Sequence, residues 1–322
     1  MYLLAYSFIR NHFDSKKALG ISFFTALLFA IHPVQVETVC WISASKIVLS
    51  TFFYLSALIC YIQYMRNSKW QYLLASVVSS ILAMGCKEQS VIIVPCLLLF
   101  DWMLFKRNMR SLKVYIEKVY YLIPAIAIFI VTLVANKNTG EEIIGYTIVD
   151  RFIFLCYSSF KYLLISAIPF KLSYLYPFPF QVGEKIPMAL WIYPFVILFI
   201  GYVIYLNRRK PLLVFCTLFF ILHLLPVLHV IPLPRYVVAA DRYLYIPYIA
   251  FAIGLSILSY HLYERQRKWI LYAGFLYCSY LCVYTAGYAP AWKNSDTLKE
   301  HFKEVLKKRE TNLSINFKHE KQ

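Results

Sequence analysis

Charged residues are scarce, at 15% of a 322-residue chain, where about 25% is usual in a soluble domain. Hydrophobic residues make up 61%, and mean hydropathy is +0.60. Too few polar side chains exist to cover a water-facing surface, which excludes a soluble globular domain and a disordered chain alike. Glycine is rare as well, with nine residues, and no pair of interrupted apolar segments occurs. Both absences argue against a transporter built on small-residue packing and broken helices. There is no internal repeat and no low-complexity linker. No H-E-x-x-H, P-loop, G-x-S-x-G or glycine-rich dinucleotide turn is present, so ATP-driven and zinc-protease chemistry have no support. The eight cysteines include no C-x-x-C pair and read as small apolar residues of helices. Met1 to Ile9 is apolar but has no basic region before it, so a cleavable signal peptide is not expected.

Long continuous apolar runs remain. They do not alternate every second residue, as the strands of a membrane β-barrel would. Crossing the hydrocarbon core takes about 20 apolar residues in a helix. Nine runs qualify or nearly so: 18–36, 47–65, 70–86, 90–105, 119–135, 188–206, 211–231, 244–263 and 269–287. The expected fold class is therefore all-α, a polytopic transmembrane helical protein of about nine spans.

Lysine and arginine outnumber the acids, 33 to 16, for a net charge of +17. No basic surface interleaved with aromatics suggests base stacking, so nucleic acid is not an expected partner. The cations cluster instead in short loops. They are Arg10, Lys16 and Lys17; Arg66 and Lys69; Lys106, Arg107, Arg110, Lys113 and Lys118; Arg208, Arg209 and Lys210; Arg265, Arg267 and Lys268. All fall on one side of the nine-span scheme, which the positive-inside rule makes the cytoplasm. The N-terminus is then cytoplasmic, in a cell membrane, with a bacterial inner membrane the expected setting. Residues 1–290 form the multi-pass domain, with an external segment at 136–187. Within it, 152–168 carries Lys161 and is followed by Pro169, Pro177 and Pro179. It reads as a re-entrant or interfacial helix. The tail, 291–322, is charged and amphipathic, with Ser295 and Asp296 where a helix N-cap belongs, and is expected outside.

Ionisable groups near membrane depth are costly, and so are candidates for function. Four groups stand at the external ends of the expected spans. His32 and Glu37 flank a helix-ending Pro33, with Trp41 and Lys46 following. An imidazole and a carboxylate this close suit proton transfer, or phosphate and sugar binding; the bland alternative is a helix-end turn with a tryptophan anchor. Lys87 and Glu88 end the third run, as a solvated ion pair or as a phosphate-binding lysine tuned by its neighbour. Arg235, Asp241, Arg242, Tyr243 and Tyr245 stand at the entry to the eighth. Asp150, Arg151, Lys161 and Lys171 surround 152–168 and read more simply as headgroup contacts. His223 reads as a hydrogen-bonded helix residue and His229 as a weaker candidate. The implied picture is an external pocket of cations, carboxylates and aromatics that accepts an anionic headgroup on a long lipid. Cations would hold the phosphate and a carboxylate would act as base.

Four segments carry a family resemblance. LLFAIHPVQVETVCWISASKIVLSTFFYLSALICY (27–61) resembles the HPxHxExVxWVSxRKDxLS region of membrane proteins with tetratricopeptide repeats. GCKEQSVIIVPCLLLFDW (85–102) resembles their SKExAxxxPxxLLLxDW. VAADRYLYIPYIAF (238–251) is similar to ADRYxYLPxIGL, and AWKNSDTLKEHF (291–302) to xWxDSxTLWxxA. These relatives are bacterial repeat proteins and the animal transmembrane O-mannosyltransferases targeting cadherins, membrane glycosyltransferases of the GT-C superfold. The resemblance implies transfer of a sugar from a polyprenyl-phosphate-linked donor to a protein or glycan acceptor on the non-cytoplasmic face. Such chemistry is compatible with a divalent metal, although no metal-ligand set can be assembled from spacing. The resemblance carries over to His32, Glu37, Lys87, Glu88, Asp241, Arg242 and Tyr243. With the residue chemistry, it makes Glu37, Asp241 and His32 the catalytic candidates. Lys87, Glu88, Arg235, Arg242, Tyr243 and Lys46 are the candidates for substrate binding.

Three departures stand out. The family's first span and acidic external loop have no counterpart before residue 1. Ser45-Lys46-Ile47 replaces Arg-Lys-Asp. The repeats reduce to one partial helix. A chain truncated at both ends is the expectation, and inactivity on its own would follow from the missing acidic loop. A non-catalytic membrane anchor or scaffold is the alternative reading, and a transporter or polysaccharide polymerase or ligase the third.

Overall fold

The computed structural model describes residues 1–137, 145–173, 176–229, 237–301 and 303. The described part is helical, with one isolated antiparallel bridge between Tyr176 and Ala239 and no strands. Its α-helices are α1 (Tyr2–Ile9), α2 (Ser15–Ile31), α3 (Val36–Cys40), α4 (Ser45–Asn67), α5 (Trp70–Cys86), α6 (Ile93–Met103), α7 (Leu112–Lys137), α8 (Ile148–Ala167), α9 (Ile192–Leu206), α10 (Pro211–Leu224), α11 (Pro247–Arg265) and α12 (Arg267–Tyr288). Each of the nine apolar runs folds around one of these helices. Four helical stretches are long and apolar enough to cross a membrane: Ile42–Asn67, Leu112–Ala135, Met188–Leu206 and Arg267–Trp292. A fifth follows if α2 and the segment after it, bent by 55°, count as one.

Local sequence sets the breaks. Pro33 lacks an N–H and forces His32 out of the helical region (φ −73°, ψ 127°), so α2 stops there. Pro211 and Pro247 start α10 and α11, where a missing N–H costs nothing. Ser68 closes α4 in the left-handed conformation, φ 54°. Thr147 and Asp150 form a capping box on α8. The helix entered at residue 295 is capped not by Ser295 or Asp296 but by Asn294. Its side-chain oxygen accepts the Asp296 and Thr297 N–H groups at 3.1 and 2.8 Å. Most of the tail, 304–322, lies outside the described residues.

Antiparallel neighbours make the bundle: α4 with α5, α10 with α11, α11 with α2, and α1 against α2. Hydroxyls inside apolar helices satisfy themselves on the preceding turn; Ser22, Thr25, Ser158, Ser166 and Ser256 each donate to the carbonyl four residues back. Others stitch helices together. Ser50 donates to Ala83 O at 2.8 Å and Ser76 to Ala57 O at 2.7 Å, where small side chains let α4 and α5 approach. The core is strongly aromatic, with Tyr54, Tyr61, Tyr121, Tyr162, Tyr176, Tyr248, Phe100, Phe154 and Phe219 fully buried. Large apolar side chains also line outer surfaces, such as Phe195, Leu198 and Phe199 of α9 and Phe275, Leu276 and Val283 of α12. Water would not tolerate such faces; hydrocarbon would. Of the cysteines, Cys40 and Cys282 are exposed on helix surfaces rather than buried.

The cation-bearing turns gather at one end. Lys17 at the start of α2 meets Glu264 at the end of α11 (3.2 Å), and Arg66 donates to Ser7 O (2.9 Å). Phe8 of α1 and Phe100 of α6 pack on Phe215 near the start of α10. Two of the sixteen cations belong to a buried ion-pair network. Lys118 lies inside α7 and Arg107 folds inward onto Glu117 and Asp101.

Candidate functional site

At the opposite end of the bundle, α2 ends, α3 and the 33–35 turn follow, α4 and α11 begin, and α12 closes into the 289–292 turn. Residues 33–35, α3 and 241–244 touch one another here. The result joins two sequence segments 205 residues apart. Arg242 places its guanidinium 2.5 Å from Glu37 Oε1 and donates its backbone N–H to Oε2 at 2.8 Å. Glu37 has no exposed surface, and the Arg242 side chain is 19% exposed. Aromatic faces flank that guanidinium, Trp41 at 5.6 Å and Tyr243 at 5.0 Å from centroid to carbon. Trp292 in turn packs on Trp41.

Asp241 sits beside this pair and is completely buried. Tyr176 donates to its Oδ1 at 2.7 Å. Its Oδ2 has no hydrogen-bond partner among the described residues. Burial pushes the Asp241 carboxyl well above the usual carboxylate range, and the Glu37 charge pushes it further; Tyr176, Lys161 and Arg242 pull it back only in part.

His32 is buried under the Tyr248 ring, 4.2 Å between centroids, and its Nδ1 accepts the Val34 N–H at 3.3 Å. That bond makes it the cap of the 33–35 turn, so one ring nitrogen already has a structural task.

Lys87 and Glu88 form a neighbour-to-neighbour ion pair at 2.5 Å with Glu88 45% exposed. Burial raises the Glu88 carboxyl, but Lys87 and then Lys46 outweigh it and hold the group below its ordinary range. Lys46 therefore lies close to this pair, at the start of α4. Tyr245 packs on Ala44 and Ile47 nearby, which links the Asp-Arg segment to the same region.

The structure thus brings His32, Glu37, Asp241, Arg242 and Tyr243 together, with Lys46, Lys87 and Glu88 at the same end. Arg235 lies outside the described residues. Asp150 serves the capping box, and Lys171 is a surface residue over Phe170. Lys161 reaches inward, its ammonium 3.7 Å from the Tyr176 ring centroid. His223 is a helix residue as expected, its nitrogens 2.8 Å from Phe219 O and 2.8 Å from Tyr54 Oη.

One expectation needs correcting. The acids do not line an open pocket: neither Glu37 nor Asp241 has exposed surface. An open apolar groove, about 410 Å³, runs elsewhere, between α6 and α10, lined by Pro95, Leu98, Trp102, Leu218 and Ile221. No three metal-ligating side chains converge among the described residues.

Sequence reasoning missed Tyr176 and Tyr288, and the buried network at the other end. Among 28 tyrosines nothing local marks Tyr176. Asp101 did carry a signal, a lone carboxylate inside an apolar run. It accepts from Tyr61 at 2.6 Å and pairs with Lys118 at 2.6 Å.

A scan against protein-family models, a search of curated proteins and a search of solved structures each return no match.

Proposed function

We propose that this chain is a membrane glycosyltransferase-like protein of the GT-C type, acting on a polyprenyl-phosphate-linked sugar at the non-cytoplasmic face, with a protein or glycan acceptor. The observation that carries this reading is the Glu37–Arg242 pair. It joins two motifs that resemble the same family, at the end of the bundle away from the cationic turns. In this reading all nine apolar runs cross the bilayer, the cationic turns and the N-terminus lie in the cytoplasm, and 136–187 and the tail lie outside. Arg242 and Lys87, with Arg235, bind the phosphate. Their charge stabilises the lipid phosphate as it departs. Trp41, Tyr243 and Trp292 supply faces for a sugar ring. Asp241, which has no exposed surface here, takes the acceptor proton once substrate entry parts the side chains over it. Glu37, spent on Arg242 through two bonds, holds the guanidinium in place rather than acting as base.

The test uses the full chain in proteoliposomes with a radiolabelled polyprenyl-phosphate sugar and a membrane extract as acceptor source. Arg242→Ala and Lys87→Ala should each lower kcat/KM by about 10²-fold. No turnover together with no binding of the donor by the unsubstituted chain would end the proposal. Sidedness is read in the same vesicles with an impermeant maleimide. Lys185→Cys and Lys293→Cys, both at exposed positions, should label from outside, and Arg209→Cys only after permeabilisation.

The complete burial of both acids favours a second reading, a non-catalytic membrane anchor or scaffold. It predicts normal insertion and labelling, with no donor binding.

A further inference from the structure

We infer that Tyr176 is a positioning residue for Asp241, fixing Oδ1 so that Oδ2 is the oxygen that exchanges a proton. This rests on the reading of Asp241 as the base of a sugar-transfer site.

The geometry comes from three independent holds on one tyrosine. Its backbone bridges the Asp-Arg motif. Tyr176 N–H donates to Ala239 O at 3.3 Å and Val238 N–H donates to Tyr176 O at 2.9 Å. The backbone at Tyr176 is thereby fixed two residues from Asp241. Its hydroxyl oxygen accepts the Ser173 N–H at 3.1 Å, which directs the hydroxyl proton away from Ser173 and towards Asp241 Oδ1, 2.7 Å off. Its ring lies under the Lys161 ammonium from α8, 3.7 Å from the centroid. Tyr162, also from α8, accepts the Ala240 N–H at 3.2 Å and fixes the backbone just before Asp241.

A carboxylate held at one oxygen by a neutral donor keeps its other oxygen as the basic one. In the transfer step the acceptor O–H bond breaks and its proton moves to Oδ2. The acceptor oxygen attacks the anomeric carbon while the carbon–oxygen bond to the lipid phosphate breaks, and that phosphate keeps the electron pair. The protonated Asp241 then returns its proton to water. The groups that face Asp241 are Glu37 of α3, Arg242 beside it, Lys161 of α8, Tyr176 of the loop, and Tyr284 and Tyr288 of α12. Tyr176 is the side chain whose hydrogen bond to it sets the geometry.

The experiment is an infrared pH titration of the full chain in lipid nanodiscs. The Asp241 band is the protonated-carboxyl stretch that disappears in Asp241→Asn. Removing the donor hydroxyl in Tyr176→Phe should raise the titration midpoint by roughly one pH unit and move the band to higher frequency. Lys161→Gln, which leaves the buried tyrosine in place, should move the midpoint the same way and serves if Tyr176→Phe does not fold. An unmoved midpoint in the folded variants overturns the assignment. Sugar-transfer pH profiles on the same proteins separate the two claims. A midpoint that moves in a chain with no transfer upholds Tyr176's hold on Asp241 and defeats the transfer reading. Transfer whose acid limb stays fixed in Tyr176→Phe upholds the transfer reading and defeats the positioning role.

Discussion

Replacing Arg242 by Met should cost more stability than replacing Glu37 by Met. At 2.5 Å, and at an effective dielectric near 20, the charges attract by about 6–7 kcal/mol. Desolvating a buried carboxylate takes back several kcal/mol, so the intact pair gains little over an apolar one. Breaking it is another matter, and the two sides are unequal. Arg242→Met leaves a wholly buried carboxylate with one backbone N–H, and should cost about 3–5 kcal/mol. Glu37→Met leaves a guanidinium that is 19% exposed and lies against Trp41 and Tyr243. Water and the two ring faces soften its loss, so the cost should be smaller by about 2 kcal/mol. The double variant removes both charges, and should be more stable than Arg242→Met alone. Denaturant unfolding in mixed micelles measures all three. Equal single costs, or a double variant as unstable as the sum of the singles, would show that the pair is solvated and uncoupled, and the argument for a sealed site would fail with it.

Two further outcomes follow from the same reasoning. Lys118→Met removes the 2.6 Å partner of the fully buried Asp101 and should destabilise by about 3 kcal/mol or more, whereas Lys87→Met, whose partner Glu88 is 45% exposed, should change unfolding free energy by less than about 1 kcal/mol. The raised carboxyl of Asp241 means that the folded state binds its proton more tightly than the unfolded chain, whose value is about 3.9. Its contribution to stability is therefore full below that pH and lost as pH rises through the folded value, so Tm against pH should slope downward there and flatten in Asp241→Asn.

Much of the helical frame was legible because hydrophobic length and proline are local signals. The run at 70–86 coincides with α5, and 188–206 with the 188–191 turn plus α9. Pro33 marked the end of α2 because its effect needs only its own ring and the preceding residue. Lys118 was misread because a cation count cannot see that Asp101, seventeen residues earlier, is waiting for it. Half of the site was legible. His32, Glu37, Asp241 and Arg242 stood out as charges beside apolar runs, but which carboxylate Arg242 would take was not written nearby. That choice depends on how the 33–35 turn and residues 241–244 meet across 205 residues. Tyr176 was invisible for the same reason. Its role comes from a two-bond bridge to Ala239 and Val238, and no period or motif encodes that pairing.

The two buried charge clusters make an instructive contrast. At the cationic end, two acids face two bases, and every carboxylate oxygen is matched. Asp101 Oδ1 accepts from Tyr61, and Oδ2 lies by Lys118 and Arg107. Glu117 Oε2 lies 2.5 Å from Arg107 and Oε1 accepts from Tyr64. A cluster balanced to the last lone pair is what stability alone would build, tying the α6–α7 turn to α4. At the other end the matching is incomplete: His32 Nε2, both Gln35 amide atoms and Thr38 Oγ1 lack a partner among the described residues. Glu37 is satisfied through two bonds, yet Asp241, equally buried, keeps Oδ2 unmatched among the described residues. An unmatched buried acid lowers stability by roughly 1–3 kcal/mol. Replacing it with a neutral residue would remove that penalty without touching the Glu37–Arg242 pair. Among the buried acids of the described residues, Asp241 alone keeps an oxygen unmatched, and its role as base under the proposed function rests on that oxygen.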